Sequence, residues 1–165
     1  MSVIIEKDIE FKLEFDEEEL INKIVKYISN YFNNEFDLQV NVLLTDNENI
    51  HKINKEYRNI DSETDVLSFP AIEYEIPGDL SFIDEDDVMY FDLDTDELIF
   101  GDIILSIDRV KTQAKEYGHS EYREFAFLIT HSMLHLFGFD HIEESDREIM
   151  EAHQKKIMDE LEIYR

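Results

Sequence analysis

Apolar side chains at Leu20, Ile21, Ile24, Val25, Ile28, Tyr31 and Phe32 recur every three or four positions, and that period predicts an amphipathic helix over residues 17–33. Asp16 is placed to cap it, and three glutamates in its first turn face the positive end of the helix dipole. Residues 3–13 read as an opening strand. Leu38, Val40, Val42 and Leu44 alternate with Gln39 and Asn41, which suits a strand with one buried face. Asp46 starts a second helix with Ile50, Ile53 and Tyr57 turned inward, and Val66 to Phe69 form a strand that Pro70 ends. Gly101 to Ser106 predict a further strand. The helix after it places Ile107, Val110, Ala114 and Tyr117 on its packing side and stops at Gly118. Ser120 opens a helix that is apolar almost all round from Phe125 to Phe137, the pattern of a buried central element. Ser145 and Glu148 are spaced as a capping box for a last helix that packs through Ile149, Met150, His153, Ile157 and Leu161. Strands and helices interleave, so the expected class is α+β with α/β character: one small mixed sheet covered by helices, in a single domain over residues 1–165.

Between Ala71 and Leu98 the pattern changes, because this stretch holds eleven Asp and Glu and no Lys or Arg. It reads as an acidic insert, a solvated and partly mobile loop or hairpin, with Phe82, Val88, Tyr90, Phe91 and Leu93 available to pin it. Its acids do not follow the EF-hand spacing. The imbalance extends to the whole chain, which has 41 acidic against 15 basic side chains and a net charge of -26. Such a field opposes broad attraction to nucleic acid or anionic lipid, so DNA and membranes are not expected as partners and any RNA contact has to be local. With no cysteine, neither a disulfide framework nor a thiolate metal cage is possible. The opening MSVIIEKDIEFKLEF mixes charge into its apolar residues, so neither a signal core nor a spanning segment is expected, and the cytoplasm is the expected location.

Candidate chemistry concentrates in the run HSMLHLFGFDH. His131 and His135, four apart, share one helix face, and Gly138 lets the chain leave that helix and turn back so that His141 reaches the same point. Three imidazoles leave a fourth coordination position open, the mark of a catalytic zinc site rather than a sealed structural one. Zinc is the first expectation, with nickel or another divalent metal compatible with the same ligands. The remaining histidines, His51, His119 and His153, read as ordinary surface or helix positions. The spacing is also that of metzincin proteases, but their catalytic glutamate is here Ser132, which cannot take up a proton from water.

Together with the upstream TDVLSF and GDIILS, this run resembles the YbeY family of metal-dependent endoribonucleases that act in ribosomal RNA maturation. The resemblance covers about Asn54 to Gln154. It implies that His131, His135 and His141 are metal ligands and share the catalytic centre with Arg58, which matches the family's phosphate-binding arginine in NKEYRNIDSETDVLSF. Two departures from the family's HGxLHLxGYDH are Ser132 for Gly and Phe139 for Tyr. The resemblance further implies single-strand cleavage in 16S rRNA 3'-end maturation and association with ribosomal RNA, the small ribosomal subunit and its proteins. From chemistry alone, Arg58 fits phosphate as a planar fork of donors, with a salt bridge to Asp61, Glu63 or Asp65 as the alternative. Lys55 is a second candidate cation. Thr64 and Asp65 read as bracing the turn, and Asp140 either orients a ligand histidine or caps the departing loop. A non-catalytic ribosome-assembly factor, meeting basic proteins through its acidic surface, is the other open reading.

Overall fold

A computed structural model describes residues 1–164. The chain runs β1 (Ser2–Lys7), α1 (Glu17–Tyr31), β2 (Leu38–Thr45), α2 (Asn47–Arg58), β3 (Val66–Pro70), β4 (Leu98–Ser106), α3 (Ile107–Tyr117), α4 (Glu121–Leu136) and α5 (Glu144–Glu160). The strands form one mixed sheet in the order β1-β2-β4-β3. β1, β2 and β4 are parallel, and β3 runs antiparallel along the edge of β4. The inward-facing Val40, Val42 and Leu44 of β2 and Phe100, Ile103 and Leu105 of β4 join α1, α3, α4 and α5 in the main core. On the other face α2 covers a smaller cluster of Ile50, Leu67 and Ile104.

α4 is the central element, touching α1, α3, α5, β3 and β4. Phe125, Ala126, Ile129, Met133, Leu134 and Leu136 are fully buried along it, as its all-round apolar pattern predicts. Gly101 lets the end of this helix come close to the sheet. It sits at φ +148, beside a register shift between β2 and β4, and a Cβ there would fall 2.5 Å from the Phe69 carbonyl oxygen and 2.8 Å from Leu136 Cδ2.

The caps at Asp16, Asp46 and Ser120 accept from amides three residues on. The last helix differs: it begins at Glu144 after Glu143 with no side-chain cap, so Ser145 and Glu148 make no capping box. Tyr57, Tyr117 and Ile149, expected on packing faces, are exposed. Each lies at the rim of its helix, where the period continues but no neighbouring element covers it. β1 also stops at Lys7 rather than at residue 13, because its partner β2 ends at Thr45. Ile9, Phe11, Leu13 and Phe15 still alternate inward against the core, so that pattern records burial without strand pairing.

The acidic stretch departs furthest from expectation. Ile72, Leu80 and Ile83 are buried in the main core, and Gly78 N donates to the Phe137 carbonyl at 2.7 Å. Phe82, Val88 and Leu93 face solvent, while Tyr90 and Phe91 pack partly against the core. Ile72, Leu80 and Ile83, together with Tyr90 and Phe91 of the expected set, tie the segment down as a cover. None of the described helices is long and apolar enough to cross a membrane.

Candidate functional site

A cavity of about 510 Å³ opens between the end of α2, β3 and α4, with Arg58, Asp65, His131, His135, Asp140 and His141 in its wall. α4 presents His131 and His135 on one face, four residues apart. It stops at Phe137, and Gly138 takes the left-handed angle φ +90 that reverses the chain. Gly138 N donates to His135 O at 2.9 Å and Phe139 N to Leu134 O at 3.0 Å, which closes the helix end. A Cβ on Gly138 would lie 2.6 Å from Tyr74 Cδ2, so an aromatic ring of the acidic stretch backs this turn.

The turn brings His141 to the other two rings. One nitrogen from each of the three imidazoles lies within 4.8 Å of the others, and the Nε2 atoms of His131 and His135 are 3.1 Å apart. Two nitrogens bound to one tetrahedral ion at zinc distances stand roughly 3.3 Å apart, so the His131–His135 pair is spaced for such an ion and His141 stands within reach of it. His135 Nδ1 donates to the Phe139 carbonyl at 2.9 Å, which leaves Nε2 with its lone pair toward the cluster. The motif did not disclose this carbonyl, because a backbone acceptor leaves no trace in residue type. Burial first, and then His135 and His141, lower the His131 pKa to about 4, with Asp65 opposing; burial lowers His135 as well. Both rings are therefore neutral at pH 7 and able to act as ligands.

Arg58 is exposed at the end of α2, and its Nη1 donates to Asn54 Oδ1 at 3.4 Å. No carboxylate among the described residues is within ion-pair distance of it. The acids named as alternatives are engaged elsewhere: Asp61 with His51 and Lys55, Glu63 with Arg109. Asp65 is bonded to Val66 N and Gln113, so the Arg58 guanidinium lines the cavity without an ion-pair partner among the described residues. Asp140 accepts from the His141 amide at 2.7 Å, so it caps the loop and does not orient a ring. Ser132 is fully buried and outside the cavity wall, so the position of a protease glutamate offers neither the chemistry nor the access. His119, expected at an ordinary position, is buried against Glu124 at 2.5 Å.

Fold and cavity define the class: a small mixed α/β protein with a histidine cluster gathered beside an open guanidinium. A profile of the family described as Endoribonuclease YbeY matches residues 4–162. Proteins of that name are 55% identical in Agathobacter rectalis and 48% in Lachnoclostridium phytofermentans, each over 165 residues and the whole of both chains. A third, from Clostridium botulinum, is 42% identical over 90% of this chain and 92% of its own. The solution structure of TM1509 from Thermotoga maritima shares the fold, with a TM-score of 0.55 and 22% identity over 98% of this chain and 92% of that one. The chain belongs to the YbeY endoribonuclease family and is a hydrolase acting on phosphodiester bonds in RNA.

Proposed function

We propose that His131, His135 and His141 hold one divalent ion, zinc in the first instance, and that single-stranded RNA is cut in the cavity they share with Arg58. When bound, the ion supplies concentrated positive charge that polarises a phosphoryl oxygen and acidifies water. The neutral rings leave that charge undiminished, and the Phe139 carbonyl keeps His135 in the tautomer and orientation a ligand requires. Arg58 binds the scissile phosphate through its forked donors and offsets the charge that grows on its oxygens as the bond breaks. Lys55 leans on Asp61 at 3.7 Å and is a lesser contributor.

The cavity admits an unstacked nucleotide, whereas a duplex presents a continuous backbone too wide to enter, which favours single-stranded segments. The ribosomal setting is part of the same proposal: the 3' end of 16S rRNA as substrate, the small subunit and its proteins as partners, and residues 1–165 working as one domain in the cytoplasm. A net charge of -26 repels free RNA, and basic ribosomal proteins supply the attraction the chain lacks. The observation that carries the reading is the convergence of three imidazoles on the cavity that Arg58 faces. Metal analysis and cleavage of a single-stranded RNA by the parent and by His135→Ala test it. Loss of both metal and cleavage in the variant supports the proposal. Full metal content in the variant, or a metal-loaded parent that leaves the RNA intact, overturns it.

A further inference from the structure

Behind the cavity wall lies a string of buried polar groups that the proposed reaction does not use. Glu124, in the first turn of α4, is 2% exposed, and its Oε2 accepts from His119 Nε2 at 2.5 Å. Its Oε1 accepts from Gln113 Nε2 on α3 at 2.8 Å. The same Gln113 nitrogen reaches Asp65 Oδ2 at 3.4 Å. Asp65 Oδ1 takes the Val66 amide at 2.7 Å, and the Asp65 carbonyl accepts from Ser106 N at 2.9 Å. One side-chain amide thus places its two hydrogens between two carboxylates. The reversed amide would press a carbonyl oxygen against both acids, so the orientation is fixed by charge. Burying the Glu124 carboxylate is costly unless its oxygens are paired, and each takes one partner, His119 and Gln113, although His119 Nδ1 itself has none. Losing either partner of Glu124 would leave a buried charge short, which holds Gln113 in this orientation.

We infer that Gln113, locked by the buried Glu124–His119 pair, is a positioning residue that holds the Asp65 carboxylate on the cavity wall for phosphodiester hydrolysis. Asp65 has one oxygen tied to its own turn and the other to Gln113, and the free lone pairs of the carboxylate face the cavity that His131 also lines. There the carboxylate accepts a hydrogen bond from the attacking water and orients it toward phosphorus. The inference rests on the endoribonuclease reading of this cavity.

A double-mutant cycle on RNA cleavage tests it, with Gln113→Met, Asp65→Asn and the pair, each checked for fold by thermal melting. Gln113→Met is expected to lower kcat on the order of tenfold with KM within about twofold, since a misplaced group costs rate rather than binding. In the Asp65→Asn background the same change is expected to cost nothing further, because both act through one carboxylate. If Gln113→Met does not fold, Glu124→Gln, which keeps the volume, is expected to give the same split. Losses that multiply in the pair, a rise in KM at unchanged kcat, or a kcat indifferent to Gln113 overturn this inference while leaving cleavage by the parent intact. A parent that does not cleave RNA overturns the proposed function, and this inference with it.

Discussion

Gly138→Ala probes the turn on which the histidine cluster depends. At φ +90 an alanine is strained by about 1–2 kcal/mol, because its Cβ crowds the backbone in the left-handed region. The new Cβ would also lie 2.6, 2.7 and 2.9 Å from Cδ2, Cγ and Cβ of Tyr74, well inside the ordinary contact distance of about 3.5 Å. Tyr74 packs between this turn and Phe82, so relief means moving a packed ring, and overpacking of that kind costs about 1–3 kcal/mol. The sum, about 3 kcal/mol, lowers the melting temperature of a chain this size by roughly 6–12 °C. Gly118→Ala is the control: it too has a positive φ, of +70, but nothing within 4 Å of its Cβ. Only the backbone strain remains there, and a fall of roughly 2–8 °C is expected. Melts of both variants by circular dichroism, with zinc titrations of each, read the two contributions separately. Gly138→Ala is expected to weaken zinc binding because the turn carries His141, whereas Gly118→Ala is expected to leave it unchanged. Equal melting temperatures for the two variants, or parental zinc affinity in Gly138→Ala, would refute the reasoning.

Three further outcomes follow from the site. In metal-free protein, the His131 pKa is about 4 when folded against 6.5 when free, so the unfolded chain takes up the proton first. The stability that the neutral ring contributes is complete above pH 6.5 and is lost as the pH falls toward 4, about 2 kcal/mol of it between pH 7 and 5. Melts across that range should show a steeper decline for the parent than for His131→Gln, and parallel curves would contradict the assignment. Arg58→Ala removes an exposed group, so the melting temperature and metal content are expected to hold, while cleavage falls on the order of a hundredfold. Unfolding of this variant would show that the guanidinium is structural. Zinc at about a hundred times its dissociation constant should stabilise the metal-free protein by about 2.7 kcal/mol, roughly 5–11 °C, and this gain should vanish in His135→Ala.

The candidate ligands were legible in the chain because they are local. A helical period, a glycine that ends the helix and a third histidine just beyond it leave little geometric freedom, and the three rings do converge. Caps at Asp16, Asp46 and Ser120 were readable for the same reason. Ser145 and Glu148 have the right spacing and still fail, since the helix starts two residues earlier than their pairing needs. Partners that meet across the fold were not readable. Asp65 and Gln113 lie 48 positions apart, and nothing in either residue type points to the other. His119 looked ordinary because its acid, five residues on, becomes a partner only through the turn between α3 and α4. The acidic stretch misled through composition: its charge suggested solvation, whereas three apolar residues, Ile72, Leu80 and Ile83, decide where it lies.

All three candidate ligands fall within residues 131–141, while Arg58 and Asp65 arrive from α2 and the start of β3. Closing so short a loop around an ion costs little chain entropy, so cation capture is nearly a property of one peptide segment. Substrate handling, by contrast, depends on the docking of a distant part of the chain. Damage to the turn between α2 and β3 should therefore yield a protein that still carries its metal in full and is silent toward RNA, so that metal content alone is a poor gauge of a working enzyme.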